Sequence, residues 1–144
     1  MKKAYIEQLK GAIGQPLQAH LKGFGQWLNP TLVDVSAEGD LQLSFVVRED
    51  MLNPMGALHG GAVAAIIDEV LGFQIFLKSE EDAAYVSMTM NIDFLRAAHV
   101  GDILVGVPIV QRIGSKTANV TCVIKNKATN KVVAQGVSNF MRVV

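Results

Sequence analysis

Two adjacent carboxylates, Asp68 and Glu69, stand in the middle of the apolar run GGAVAAIIDEVLGFQIFLK, and His59-Gly60-Gly61 opens it. A carboxylate so placed can attack a carbon itself or take a proton from water. Ahead of it, the first turn of a helix offers backbone N–H groups that lack intrahelical acceptors and sit at the positive end of the dipole. Glycines at that start leave the backbone open, so a polarised or anionic oxygen can accept from it. Asn53 lies six residues before His59, in a loop that Pro54 and Gly56 mark as a turn.

These groups need a helix from about Gly60 to Lys78. At about 100° per residue, Asp68 shares a face with Gly61, Ala64, Ala65 and Gly72, a stripe of small side chains that invites close approach. Val63, Ile66, Ile67, Val70 and Leu71 supply bulk on the other faces. Glu69 stands one step round, beside Ala62, Ala65 and Phe73, and reads as structural. A helix apolar nearly all round must be covered on all sides, as a curved antiparallel sheet would cover it. Asp68 lies seven residues beyond Gly61, roughly 10 Å along the axis, so one chain cannot bring both to one reacting carbon. Two antiparallel helices in a two-fold dimer can, each offering its N-terminus to the other's Asp68.

The remaining elements follow from periodicity. Residues 4 to 28 carry glycines and Pro16 that allow only one or two short helices. TLVDVS and DLQLSFVV flank the turn Ala37-Glu38-Gly39-Asp40, and Leu41, Leu43, Phe45 and Val47 alternate with polar positions, predicting a hairpin with one buried face. After the helix, residues 85 to 95 place Val86, Met88, Met90, Ile92 and Phe94 on one face and Ser87, Thr89, Asn91 and Asp93 on the other. Met88 and Met90 are then core residues. Residues 103–112, 117–126 and 131–143 are strands too; the short connections among these four imply antiparallel neighbours, and Pro108 demands a local edge or a bulge.

Composition narrows the function classes. Lys plus Arg equals Asp plus Glu at 13 each, so no electrostatic footprint points to nucleic acid or an anionic membrane. The run from Gly61 to Leu77 falls short of the ~20 apolar residues of a membrane span, and an Asp at its centre would cost roughly 2.5–3.5 kcal/mol. The N-terminus lacks a signal-peptide h-region, and Cys122, the only cysteine, has no disulfide partner, so a cytoplasmic location is expected.

The spacing of Asn53, His59-Gly60-Gly61 and Asp68 resembles that of the hotdog-fold acyl-CoA thioesterases of the phenylacetate-degradation (PaaI-like) type, as do MNIDFLRAAHVGDILV and NKATNKVVAQGVSNFMR. The likeness covers roughly residues 30 to 143 of a chain expected to be one domain with an N-terminal helical segment at 1–28. It implies an α+β hotdog fold, a long central helix wrapped by an antiparallel sheet of about five to six strands, in dimers that pair sheets edge to edge and often join into tetramers. It also implies hydrolysis of acyl-CoA to a carboxylic acid and CoA at a site shared between subunits. Asp68 would be nucleophile or general base, and the Gly61 N–H would polarise the carbonyl. Asn53 would position water or thioester, with His59 and Gly60 binding near the carbonyl and Ser87 or Thr89 placing a hydroxyl beside the water. Met51, Leu52, Met55 and Leu58 are pocket candidates. Arg96, Arg112, Lys116, Lys125, Lys127 and Lys131 are candidates for the CoA phosphates, most of them solvated turn charges. No metal or cofactor is implied beyond the CoA of the substrate. The competing readings are a 3-hydroxyacyl-thioester dehydratase, whose proline-bearing histidine loop MGALHGGAV lacks, and a non-catalytic acyl-CoA-binding regulatory module.

Overall fold

A computed structural model describes residues 1–144. The predicted hairpin forms β1 (Thr31–Val35) and β2 (Leu41–Val46), paired antiparallel, with Leu41, Leu43 and Phe45 buried on one face. The apolar run forms the helix α3 (Gly60–Lys78), preceded by the short α1 (Lys3–Lys10) and α2 (Gly23–Leu28). Four strands follow: β3 (Tyr85–Phe94), β4 (Ile103–Ile113), β5 (Thr117–Asn126) and β6 (Val132–Arg142). All six strands make one antiparallel sheet in the order β1-β2-β4-β5-β6-β3.

The sheet curves around α3, whose Val63, Ile66, Ile67, Val70, Leu71, Phe73, Ile75 and Leu77 are buried. Contact is closest where the sheet has no side chain. A methyl at Gly106 would lie 2.7 Å from Val70 Cγ2, and one at Gly136 would lie 2.9 Å from Ile67 Cγ2. Gln74, buried on the helix, accepts from the Leu41 N–H at 3.0 Å and donates to the Gly39 carbonyl at 2.7 Å. Its amide therefore ties the β1–β2 hairpin to α3 with no polar group left unpaired. Just past the same end of the helix, the Lys2 ammonium donates to the carbonyls of Glu80 and Glu81. Cys122 is buried in the sheet beneath this helix, and burial pushes its thiol up to about 12.

Three features depart from the expectations. The helix is not covered on all sides: Gly61 and Asp68 are exposed and Ala64, Ala65 and Gly72 only half-buried, so the small-residue stripe stays open. The register of β3 against β6 shifts between Ser87 and Thr89, which leaves Met88 in a bulge. Met88 is consequently 47% exposed instead of core, and Ser87 moves to the helix-facing side with Met90 and Ile92. Finally, β3 pairs with β6 alone and ends the sheet, although the chain runs from it directly to β4. Pro108 sits just beyond the stretch of β4 that pairs with β2, so its missing donor falls at a local edge.

Candidate functional site

The start of α3 is built by its own cap. His59 adopts extended backbone at the N-cap, and its Nδ1 accepts from the Gly61 N–H at 2.8 Å. Because Nδ1 is the acceptor, a neutral ring carries its proton on Nε2 and presents a donor outward. The Gly61 N–H, expected to polarise a carbonyl, is thus engaged. The Gly60 N–H has no acceptor in the chain. Asn53 shows the same division of labour: its Oδ1 accepts from the N–H groups of Met55 (3.0 Å) and Ala57 (3.1 Å), holding the turn. The amide nitrogen is left free to donate. Asn53 and Gly60 line one cleft of about 420 Å³, together with Met55, Leu58, Phe94 and Arg96. His59 and Gly61 face a neighbouring cleft with Met51, Leu52, Phe24 and Trp27.

Asp68 occupies different ground. The Ser87 hydroxyl donates to Asp68 Oδ1 at 2.9 Å, fixing the carboxylate and leaving Oδ2 without a partner in the chain. Of the two predicted hydroxyls, Ser87 is the one beside the acid. Thr89 lies past the bulge on the outer face of the sheet, where its Oγ1 accepts from Asn139 Nδ2 at 3.0 Å. Asp68 and Ser87 line a cleft of about 560 Å³ walled by Tyr5, His20, Leu21, Phe73 and Phe76. Sequence reasoning missed this wall, much of which comes from the N-terminal segment. The aromatic positions Tyr5, Phe73 and Phe76, whose rings pack together, were its only signal.

Glu69 turns its carboxylate inward against α2. A methyl at Gly25 would lie 2.8 Å from Glu69 Oε1, so the carboxylate packs directly on the α2 backbone. Burial raises the Glu69 carboxyl above the usual range, and the neighbouring Asp68 charge raises it further.

Within one chain the two halves stay apart. The donors Asn53 and Gly60 sit near the end of β3 that carries Phe94, since a methyl on Gly60 would stand 3.5 Å from the Phe94 ring. The acid sits at the end that carries Ser87. Helix and strand run in opposite senses: the donors mark the N-terminal end of α3 and the C-terminal end of β3, and Asp68 lies midway along α3 against the N-terminal part of β3.

The sequence profile described as "Thioesterase superfamily" matches residues 55–133. Human acyl-coenzyme A thioesterase 13 is 35% identical over 106 residues, which cover 74% of each chain. The fold is shared with the Escherichia coli PaaI protein from the phenylacetic acid degradation operon, at TM-score 0.82 and 22% identity over 100% of this chain and 97% of that one. A Streptococcus mutans protein solved with acetyl-CoA bound matches at TM-score 0.76 and 20% identity, covering 85% of this chain and 93% of its own.

Proposed function

The chain belongs to the thioesterase superfamily, and from that footing we propose that it hydrolyses acyl-CoA to a free carboxylic acid and CoA at sites completed by two subunits. The observation that carries this reading is the separation of the donors, at the N-terminal end of α3 beside Phe94, from the carboxylate, midway along α3 beside Ser87 near the opposite end of β3. β3 ends the sheet with an unpaired edge. Antiparallel pairing of that edge with its copy, about a two-fold near Met90, sets the Phe94 end of one strand against the Ser87 end of the other. The donors of one subunit then meet the Asp68 of its partner across the open small-residue stripe. Dimers of this kind would join into tetramers.

The chemistry follows from the free groups. The thioester oxygen accepts from the Gly60 N–H and the Asn53 amide, with the Nε2–H of His59 nearby, and these donors strengthen as charge grows on that oxygen. Asp68, oriented by Ser87, uses Oδ2 as base for water or as nucleophile. The thiolate is a good leaving group and needs little acid help. Met55 and Leu58 flank the donors and pack on the substrate.

The test is thiol release from a panel of acyl-CoAs by wild type, Asp68→Asn and Asp68→Ala. Wild type is expected to release thiol and both variants to lose about 10²–10⁴ in kcat. A wild type that binds acyl-CoA without releasing thiol overturns the hydrolase reading, and folded variants that keep full turnover overturn the role of Asp68.

A further inference from the structure

Phe24 and Trp27, the two aromatic side chains of α2, stay on the surface, 62% and 40% exposed. Their rings stack, with centroids 5.3 Å apart and planes 19° from parallel. The pair is also clamped. The Arg48 guanidinium lies 4.8 Å from the centroid of the Trp27 ring, donates from Nη2 to the Trp27 carbonyl at 2.7 Å, and reaches Asp50 Oδ1 from Nε at 3.1 Å. In the same turn, Gly25 packs on the Glu69 carboxylate. Six residues with two glycines make a poor helix alone, so these contacts are what hold the rings in place.

The rings stand beside the carbonyl donors. Phe24 and Trp27 share a cleft of about 270 Å³ with Met51, Leu52, His59 and Gly61, while Asn53 and Gly60 open on the neighbouring cleft. A thioester bound at the start of α3 has two substituents on its carbonyl carbon, the sulfur and the acyl chain, and each can enter one cleft. The cleft of α2 suits the acyl chain. No lysine or arginine lines it, and its only acid, Asp50, is paired with Arg48, so nothing there attracts the phosphates of a coenzyme. What it offers is aromatic and aliphatic surface. Residues 23–28 also lie outside the stretch 55–133 that matches the thioesterase profile, so these rings are no part of the matched scaffold.

We propose that the stacked pair Phe24 and Trp27 is an acyl-binding wall and sets the enzyme's preference for acyl length. This rests on the thioesterase reading. Each methylene laid on the rings leaves water, whereas an acetyl group, with one methyl beyond its carbonyl, covers little of them.

Trp27 is the only tryptophan in the chain, so its emission reads the wall without turnover. Asp68→Asn protein is titrated with CoA, acetyl-CoA and straight-chain acyl-CoAs up to dodecanoyl. Emission is expected to shift to the blue with the longer chains and to stay in place with CoA and acetyl-CoA. A shift with free CoA equal to that of the long chains would put the coenzyme arm on Trp27 and overturn the assignment. So would emission that does not move when calorimetry shows long chains bound, the result if a second copy already covers the pair. Kinetics give the independent arm: Phe24→Ala is expected to lose about tenfold more in kcat/KM on dodecanoyl-CoA than on acetyl-CoA, with Phe24→Leu recovering part of the difference. An equal loss on every thioester, or none on any, overturns the role in chain length. A length-dependent shift of Trp27 without thiol release from wild type would keep the wall and remove the hydrolase reading.

Discussion

At the scale of residues, the two adjacent acids divide sharply. Asp68 is exposed and bonded to Ser87, whereas Glu69 is tucked against Gly25 with its carboxyl raised by burial and by Asp68. A carboxyl raised on folding holds its proton more tightly in the native chain than in the unfolded one, so stability falls as pH climbs from the ordinary carboxylate range through the raised value. Glu69→Gln removes that slope. Urea midpoints across pH are expected to show the variant gaining on wild type above this window and matching it below. An unchanged slope would remove Glu69 as its source. The sequence showed that the two acids differ, because a 100° step separates them. It could not show which carboxylate packs against α2, since Gly25 is distant in the chain. Nor could HGG alone reveal that the histidine ring engages the Gly61 N–H and leaves the Gly60 N–H as the free backbone donor.

At the scale of elements, the helix presses on the sheet through missing side chains. Ile67, fully buried and stiff at its branched carbon, cannot yield to a methyl at Gly136. Gly136→Ala is expected to cost about 1–3 kcal/mol, measured as a lowered denaturant midpoint with unchanged m-value. A loss well below that range would mean the sheet flexes there. The span of α3 was legible because glycine-rich residues and His59 mark its start and its apolar run has one length. The bulge in β3 was not legible. Met88 keeps the apolar alternation intact on paper, and only pairing with β6 shows that the register slips. Strand order was equally hidden: the segment after β3 is short enough for a hairpin, yet β3 lies at the far edge from β4.

At the scale of the whole molecule, the proposed division of the site between subunits can be measured directly. A purified mixed dimer of one Asp68→Asn chain and one Asn53→Ala chain contains one site with both native groups and one with neither. About half of wild-type activity is expected from it, although each parent homodimer is nearly inactive. An inactive mixed dimer would place both groups of each site in one chain. The buried Cys122 bears on every such assay. It is the only cysteine, and its thiol is held protonated far above neutral pH. Disulfide dyes added to the native protein will therefore report the coenzyme released and almost nothing of the enzyme. For the same reason a disulfide formed by oxidation of the thiol product meets no accessible thiolate on the folded chain with which to exchange, so the catalyst is protected from capping by what it makes.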